Sequence, residues 1–326
     1  MRDFANRLAV VTGGGTGMGR ELVLQLAAEG CSVATCDINP DTLTETAGRA
    51  RAAAPAGTKV TTHLCDVSNE PQVIAFRDEV VHEHDTDHIN LLFNNAGIGG
   101  GGSFVNDDRT EWDRVFGICW GGVYHCSRAF MPLLVASDEG YIVNTSSVNG
   151  FWACLGPGIP HTAYSSAKFA VKGFSEALIT DLRVNAPHVK VAVVMPGHIG
   201  TDIVFNSRRV HGQAEPEHMT GAELETVRTM MARRGLPVAE MSDDDVRGMI
   251  ATMGQMFKDN APVSAAQAAT VILDGVRNDE WRILIGDDAR ALDEAVRANP
   301  VGIYGDQAVN LGTLQPVIQG EDAPVA

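Results

Sequence analysis

Short runs of apolar residues alternate with helix-length segments along most of the chain. Most of these runs are rich in Val, Ile and Leu and lack the polar alternation of a strand that faces water. Apolar strands separated by helices are typical of βαβ units, in which helices cover both faces of a parallel sheet. The pattern predicts a doubly wound α/β fold with seven parallel strands, at residues 8–11, 32–36, 60–65, 89–94, 141–146, 189–194 and 282–286.

One long segment interrupts this alternation. Residues 202–262 have a helical pattern and contain seven of the eleven methionines, whose flexible side chains suit irregular apolar surfaces. Residues 301–326 contain Gly and Pro and show little periodicity. We therefore predict a single domain over residues 1–300, with a helical substrate lid inserted at 202–262 and a C-terminal tail at 301–326.

Composition and charge narrow the possible functions. The chain has 41 acidic and 25 basic residues and a formal net charge of -16, whereas nucleic-acid binding requires clustered Lys and Arg. The sequence shows neither a signal-peptide pattern nor an apolar run of about 18 residues. Its six cysteines form no CxxC pair, as expected for buried, reduced thiols. We expect a soluble, cytoplasmic protein without nucleic-acid or membrane partners.

A glycine-rich loop follows the first predicted strand and leads into a helix. Small residues allow backbone N–H groups to approach a pyrophosphate, and the helix N-terminus adds partial positive charge. The spacing is T-G-x-x-x-G-x-G rather than G-x-G-x-x-G, but its position between strand and helix favours a dinucleotide site. The predicted cofactor-binding residues are Thr12, Gly13, Gly15, Thr16, Gly17, Met18 and Gly19.

Asp37 ends the second predicted strand. A carboxylate at this position accepts hydrogen bonds from the adenosine ribose and repels a 2′-phosphate. The neighbouring Ile38 and Thr16 supply no cation that would neutralise such a phosphate. The sequence therefore predicts NAD rather than NADP as the cofactor.

The sequence resembles the short-chain dehydrogenase/reductase family, whose motifs occur here in family order between residues 5 and 201. The glycine pattern, an Asn-Asn-Ala-Gly segment and a Tyr-x-x-x-Lys pair carry the resemblance. It implies a Rossmann-type fold and further cofactor contacts after the third, fourth and sixth strands. These contacts are Asp66, Val67, Asn95, Ala96, Gly97, Pro196, Gly197, Ile199 and Thr201.

The resemblance also implies that Ser147, Tyr164 and Lys168 are catalytic, and that Tyr164 and Lys168 contact the cofactor. A Tyr and a Lys four residues apart share one helix face, and a nearby cation lowers the pKa of a phenol from its usual value near 10. Tyr164 is then expected to exchange the proton of an alcohol, while Ser147 stabilises charge on the substrate oxygen. We choose Ser147 over Ser146 and expect a loop insertion within residues 151–160.

One residue departs from the family pattern. The family usually places an asparagine, thought to anchor a water in a proton relay, where this chain has Cys119. A thiol is a poor substitute for an amide. Three hypotheses remain: a relay rebuilt by another group, a slower enzyme, or a protein that binds the cofactor without efficient turnover. The intact Ser147, Tyr164 and Lys168 favour the first.

Residues near these motifs indicate the kind of substrate. Trp152 follows the catalytic serine segment, His161 precedes Tyr164 and His198 lies in the nicotinamide loop, so we predict that all three contact substrate. With the methionine-rich lid, they suggest a bulky, apolar secondary alcohol or ketone such as a steroid, terpenoid or aryl alcohol. The stretch 82–88 contains three His but is expected to be a solvated polar turn, so we predict no metal.

The sequence leaves two other functions open. An NADP-dependent ketone reductase is disfavoured by Asp37, and a non-catalytic NAD-binding protein is suggested by Cys119. By resemblance, we expect a homodimer or homotetramer that pairs through the helices at residues 112–128 and 164–183.

Overall fold

The computed structural model describes residues 1–155, 159–233, 238 and 240–304. Seven strands form one parallel sheet with the order β3-β2-β1-β4-β5-β6-β9. In chain order these strands are β1 (Leu8–Thr12), β2 (Ser32–Asp37), β3 (Val60–Leu64), β4 (Leu91–Asn94), β5 (Gly140–Thr145), β6 (Val189–Pro196) and β9 (Arg282–Ile285). The predicted doubly wound, Rossmann-type fold is confirmed.

Eleven α-helices occur in the described part of the chain. They are α1 (Gly17–Ala28), α2 (Pro40–Ala53), α3 (Glu70–His84), α4 (Arg109–Phe116), α5 (Gly122–Val135), α6 (Thr162–Asn185), α7 (Ile203–Val210), α8 (Gly221–Arg233), α9 (Asp243–Asp259), α10 (Ala265–Arg277) and α11 (Asp287–Ala298). The chain also forms a short parallel pair of strands, β7 (Ile199–Gly200) and β8 (Val263–Ser264).

Both faces of the sheet are buried. Ala9 and Val11 of β1 pack on the same side as α1, α2 and α10, whereas Leu8 and Val10 pack on the side of α3, α5 and α6. Successive side chains of a strand point to opposite faces, so a strand covered on both sides must be apolar at every position. This is why the strands were visible in the sequence as continuous apolar runs.

The order of the strands determines where the functional crevice lies. The chain runs from β1 outward through β2 to β3, then returns to pair β4 with the other side of β1. Ligands of such sheets bind beyond the carboxyl ends of the strands, at the point where the order reverses. The segment 202–262, predicted to be a lid, contains α7, α8 and α9, and α7 lies over this crevice.

Several other features bear on the sequence predictions. No helix in the described ranges is long and apolar enough to cross a membrane. A π-helical turn, Gly117–Gly121, joins α4 to α5. Most of the predicted tail, residues 305–326, and part of the predicted loop insertion, residues 156–158, lie outside the described residues.

Candidate active site

The glycine loop is tied to the end of β4. The hydroxyl of Thr12 accepts hydrogen bonds from the backbone N–H groups of Asn95 (3.0 Å) and Ala96 (3.1 Å). Gly13 has a φ of +68°, and a Cβ atom there would lie 2.8 Å from the Cα of Ala96. A Cβ on Gly19 would lie 2.1 Å from the carbonyl oxygen of Gly13. Only glycine fits these two positions, so the loop follows the sequence pattern closely.

Asp37 closes the adenosine side of the crevice. One of its carboxylate oxygens accepts a hydrogen bond from the N–H of Gly15 (3.0 Å), and the other from the N–H of Ile38 (2.8 Å). These contacts fix the carboxylate at the end of β2, beside the glycine loop. The crevice is lined by residues from several strand ends and from α7, including Gly13, Thr16, Gly17, Met18, Asp37, Ile38, Asp66, Val67, Asn95, Ala96, Gly97, Ile118, Thr201, Ile203, Asn206 and Arg209.

This crevice suits a dinucleotide. The N-terminus of α1 points into it from a loop whose glycines have no Cβ atoms, which is what binding of a pyrophosphate requires. Asp37 provides an acceptor for ribose hydroxyls, and the apolar Ile38 and Ile118 offer surfaces for a base. Most of the predicted cofactor residues thus line one crevice.

Tyr164 and Lys168 lie one turn apart on α6, as their spacing predicts. The Nζ of Lys168 is 5.4 Å from the centre of the Tyr164 ring and donates a hydrogen bond to the carbonyl of Thr145 (2.8 Å). The Ser147 hydroxyl lies near the Tyr164 phenol and acts to lower its pKa. Ser146 instead donates to the carbonyl of Lys168 (2.8 Å). Ser147, and not Ser146, is thus the serine that influences the Tyr164 phenol.

The pKa of Tyr164 is higher than the sequence predicted. Burial raises the pKa of the phenol, and this effect outweighs the opposing attraction of Lys168 and the hydrogen bond from Ser147. Lys168 thus acts in the predicted direction, but the net shift of the pKa is upward. Burial of the ring could not be judged from the spacing of the two residues.

Cys119 lies close to the lysine. It is fully buried in the π-helical turn, and its thiol donates to the carbonyl of Ile98 (3.3 Å). A Cβ atom on Gly97 would lie 3.5 Å from the Nζ of Lys168 and 3.6 Å from the Sγ of Cys119. The position that the family resemblance assigns to the relay asparagine thus lies near Lys168.

The three predicted substrate residues have different surroundings. The His161 ring stacks on the Tyr164 ring, with centroids 4.7 Å apart. His198 turns toward α9, where its Nε2 lies 2.6 Å from the carbonyl oxygen of Phe257. Trp152 is fully buried and packs with residues of α11, including Leu292. The prediction that Trp152 contacts substrate is therefore corrected, because α11 covers its side chain.

The loop after β6 has a partner that the sequence analysis missed. Asp288, at the start of α11, is buried and accepts a hydrogen bond from the N–H of His198 (2.7 Å). A Cβ atom on Gly197 would lie 2.3 Å from this carboxylate, so only glycine allows the approach. The signal was present as Gly-Asp-Asp directly after the last strand, since residues at a strand's carboxyl end lie near the crevice.

The histidine-rich stretch lies away from this site. His84 ends α3, and its Nε2 is 2.9 Å from the Thr61 hydroxyl on β3. Burial lowers the pKa of His84 to about 4. His88 pairs with the exposed Asp87.

The fold and the crevice define a dinucleotide-binding α/β protein, and comparisons with known proteins specify its family. The short chain dehydrogenase family model matches residues 7–211. The oxidoreductase SadH of Mycobacterium tuberculosis is 32% identical over 297 residues, which cover 91% of this chain and 92% of SadH. Epidermal retinol dehydrogenase 2 of Homo sapiens is 31% identical over 201 residues, covering 61% of this chain and 62% of that protein.

A solved structure shares this architecture. A short-chain dehydrogenase/reductase from Burkholderia phymatum, crystallised in complex with NAD, superposes with a TM-score of 0.69. It is 26% identical, and the match covers 100% of this chain and 99% of that one. The chain belongs to the short-chain dehydrogenase/reductase family and is an oxidoreductase of that family.

Proposed function

We propose that the protein is an NAD-dependent oxidoreductase that interconverts a secondary alcohol and a ketone. The observation that carries the proposal is the convergence of Ser147, Tyr164 and Lys168 beside a dinucleotide crevice that has Asp37 at its adenosine side. The Asp37 carboxylate would accept hydrogen bonds from the ribose hydroxyls and repel the 2′-phosphate of NADP. The NAD complex of the Burkholderia phymatum relative agrees with this choice.

The chain's own residues supply the proton chemistry. A bound nicotinamide would accept or deliver hydride at the substrate carbon. Tyr164 takes the hydroxyl proton of an alcohol during oxidation and returns it to the ketone oxygen during reduction, an assistance typically worth ~10²–10⁴-fold. Ser147 hydrogen-bonds the same substrate oxygen, and Lys168 stabilises the phenolate because its cation is buried nearby.

The surroundings of Tyr164 favour an apolar substrate. Tyr164 packs in a cluster with Trp112, Phe116 and Val210, the last of which belongs to α7. Such a wall would contact hydrocarbon more readily than the hydroxyl groups of a polyol. The similarity to a retinol dehydrogenase agrees with a bulky, apolar alcohol as the substrate.

The test is a turnover screen that follows nicotinamide absorbance with NAD and with NADP. The panel should contain steroid, terpenoid and aryl alcohols and ketones, with small polyols for comparison. We expect NAD-dependent turnover of the apolar compounds and its loss in Tyr164→Phe, with NAD affinity retained. Tyr124→Phe, which removes a phenol on the exposed side of α5, should leave the rate unchanged. Preferential turnover of polyols, or preference for NADP, would contradict the proposed substrate or cofactor.

A second candidate is a protein that binds NAD without turnover, which the thiol at Cys119 favours. The Cys119 thiol donates to a backbone carbonyl and raises the pKa of Tyr164. This candidate predicts tight NAD binding, no turnover by the parent protein on the whole panel, and activity gained in Cys119→Asn.

We also propose that the protein assembles as a homodimer or homotetramer. Tyr124 on α5 and Phe169 on α6 are aromatic side chains exposed on the two helices that the family resemblance assigns to subunit pairing. A second copy of the chain is the partner that would cover them.

A further inference from the structure

The crevice has an unusual balance of charge for a site that binds an anion. Two carboxylates, Asp37 and Asp66, line it, and the whole chain has a net charge of -16. Among the described residues that line the crevice, Arg209 is the one basic side chain. A dinucleotide has two negative charges on its pyrophosphate, and backbone amides at a helix N-terminus supply only about half of one positive charge. A cation near the glycine loop would therefore strengthen binding.

Arg209 is held close to that loop. It lies on α7, one turn after Asn206, whose side-chain amide donates a hydrogen bond to the Thr16 hydroxyl (2.8 Å). Thr16 directly precedes α1, so this contact places α7 against the predicted pyrophosphate site. The Nη1 of Arg209 is in turn 3.5 Å from the Oδ1 of Asn206.

Other contacts fix the orientation of the helix and of the guanidinium. The Ser207 hydroxyl of α7 accepts a hydrogen bond from the N–H of Gly99 (2.8 Å), which anchors α7 to the segment after β4. The Nε of Arg209 donates to Glu215 (2.8 Å). This pair occupies one edge of the guanidinium, while the side chain is still 58% exposed. An arginine oriented in this way loses little entropy when it binds a further anion.

We propose that Arg209 binds the pyrophosphate of the cofactor, and that Asn206 positions it by joining α7 to the glycine loop. The inference rests on the proposed function, because the ligand is a nicotinamide dinucleotide. It adds that the lid helix itself recognises the cofactor, so that occupation of the pyrophosphate site favours the arrangement in which α7 covers the crevice. Arg209 then discriminates ligands by their phosphates, independently of the nicotinamide ring.

The experiment measures the affinity of a ligand series by calorimetry, with adenosine, ADP, ADP-ribose and NAD as the probes. We expect Arg209→Gln to weaken ADP, ADP-ribose and NAD about 3- to 10-fold, the range for a partly exposed charge-assisted contact, and to leave adenosine unchanged. Added salt should weaken ADP-ribose binding more in the parent than in this variant. Arg109→Gln is the matched control, because Arg109 is also exposed, is paired with Asp113 and lies outside the crevice lining.

A second variant tests the same contact in the opposite direction. Glu215→Gln keeps a side-chain oxygen that can accept from the Nε of Arg209 but removes the negative charge that repels a phosphate, so ADP-ribose should bind more tightly. Equal affinities in Arg209→Gln and the parent, or an equal loss for adenosine and ADP, would overturn the proposal. With 2′,5′-ADP added to the series, a loss confined to that ligand would overturn the proposal too, because Arg209 would then recognise a 2′-phosphate. Failure of the parent to bind ADP-ribose would instead refute the cofactor assignment in the proposed function, and this inference with it.

Discussion

Tyr164 is subject to two opposing influences. Burial favours its neutral form, whereas Lys168 and Ser147 favour the phenolate, and burial dominates, so its pKa lies above the usual value near 10. The neutral phenol is the form that donates a proton to a ketone, and the phenolate is the form that accepts one from an alcohol. The two directions of the proposed reaction therefore depend differently on pH.

The first prediction concerns this pH dependence. With saturating NAD and alcohol, the oxidation rate should rise about tenfold per pH unit from about pH 6 to about pH 9, because the phenolate fraction grows at that rate below the pKa. Ketone reduction should not rise over the same range, since neutral phenol already predominates. Steady-state rates in both directions, measured with the same substrate pair, provide the check. An oxidation rate that is flat across this range would show that the pKa in the complex is low.

At the scale of elements, α11 supports both halves of the candidate site. Its Asp288 accepts a hydrogen bond from the N–H of His198 in the loop after β6. Its Leu292 packs with Val148 and Trp152 in the segment that follows Ser147. These contacts join α11 to the segment that follows Ser147 and to the loop after β6, which contains predicted nicotinamide-binding residues. Asp288 is therefore a positioning residue for the loop.

The second prediction concerns Asp288→Ala. Loss of the acceptor leaves the partly buried N–H of His198 without its partner, so the free energy of unfolding should fall by about 1–3 kcal/mol. Because the loop is assigned to the nicotinamide half, NAD should bind more weakly while ADP binds as before. Urea denaturation and calorimetry measure the two effects. Asp287→Ala is the control, since Asp287 is the exposed neighbour with the same charge, and equal losses for NAD and ADP would contradict the assigned role.

The sequence predicted those elements whose burial is visible in their own run of residues. The strand at residues 8–11 was found because β1 is covered on both faces, and the observed strand, Leu8–Thr12, is only one residue longer. Ser147, Tyr164 and Lys168 were predicted from the family resemblance, and the structure places them after β5 and on one face of α6. The elements that were missed depend on distant contacts: the pairing of β7 with β8 joins residues about 60 positions apart.

Dependence on contacts between distant residues also explains the errors in the predicted site. Trp152 was predicted to contact substrate because it follows the catalytic serine segment, but α11, more than a hundred residues later in the chain, covers it. No motif singled out Asn206, because its contact with Thr16 depends on how α7 folds back over the crevice. No periodicity within either segment contains that information.

At the scale of the whole molecule, the crevice and the proposed subunit interface occupy different surfaces. Tyr124 is 44% exposed on α5 and Phe169 is 41% exposed on α6, and neither lines the crevice. Exposed aromatic side chains on adjacent helices commonly mark a protein interface. Burying them against a second copy would also restrain α6, the helix that contains Tyr164 and Lys168.

The last prediction is that Phe169→Glu shifts the protein from a dimer or tetramer toward the monomer, because the interface would then contain a buried and unpaired charge. Light scattering after size-exclusion chromatography measures the mass as protein concentration is lowered. Ile74→Glu is the matched control, since Ile74 is likewise 41% exposed but lies on α3, and it should leave the mass unchanged. If the parent protein is a monomer at all concentrations, or if Phe169→Glu has the parent's mass, this face is not the interface. If the monomeric variant also loses turnover while it binds ADP-ribose normally, the assembly supports α6 rather than the adenosine half of the crevice.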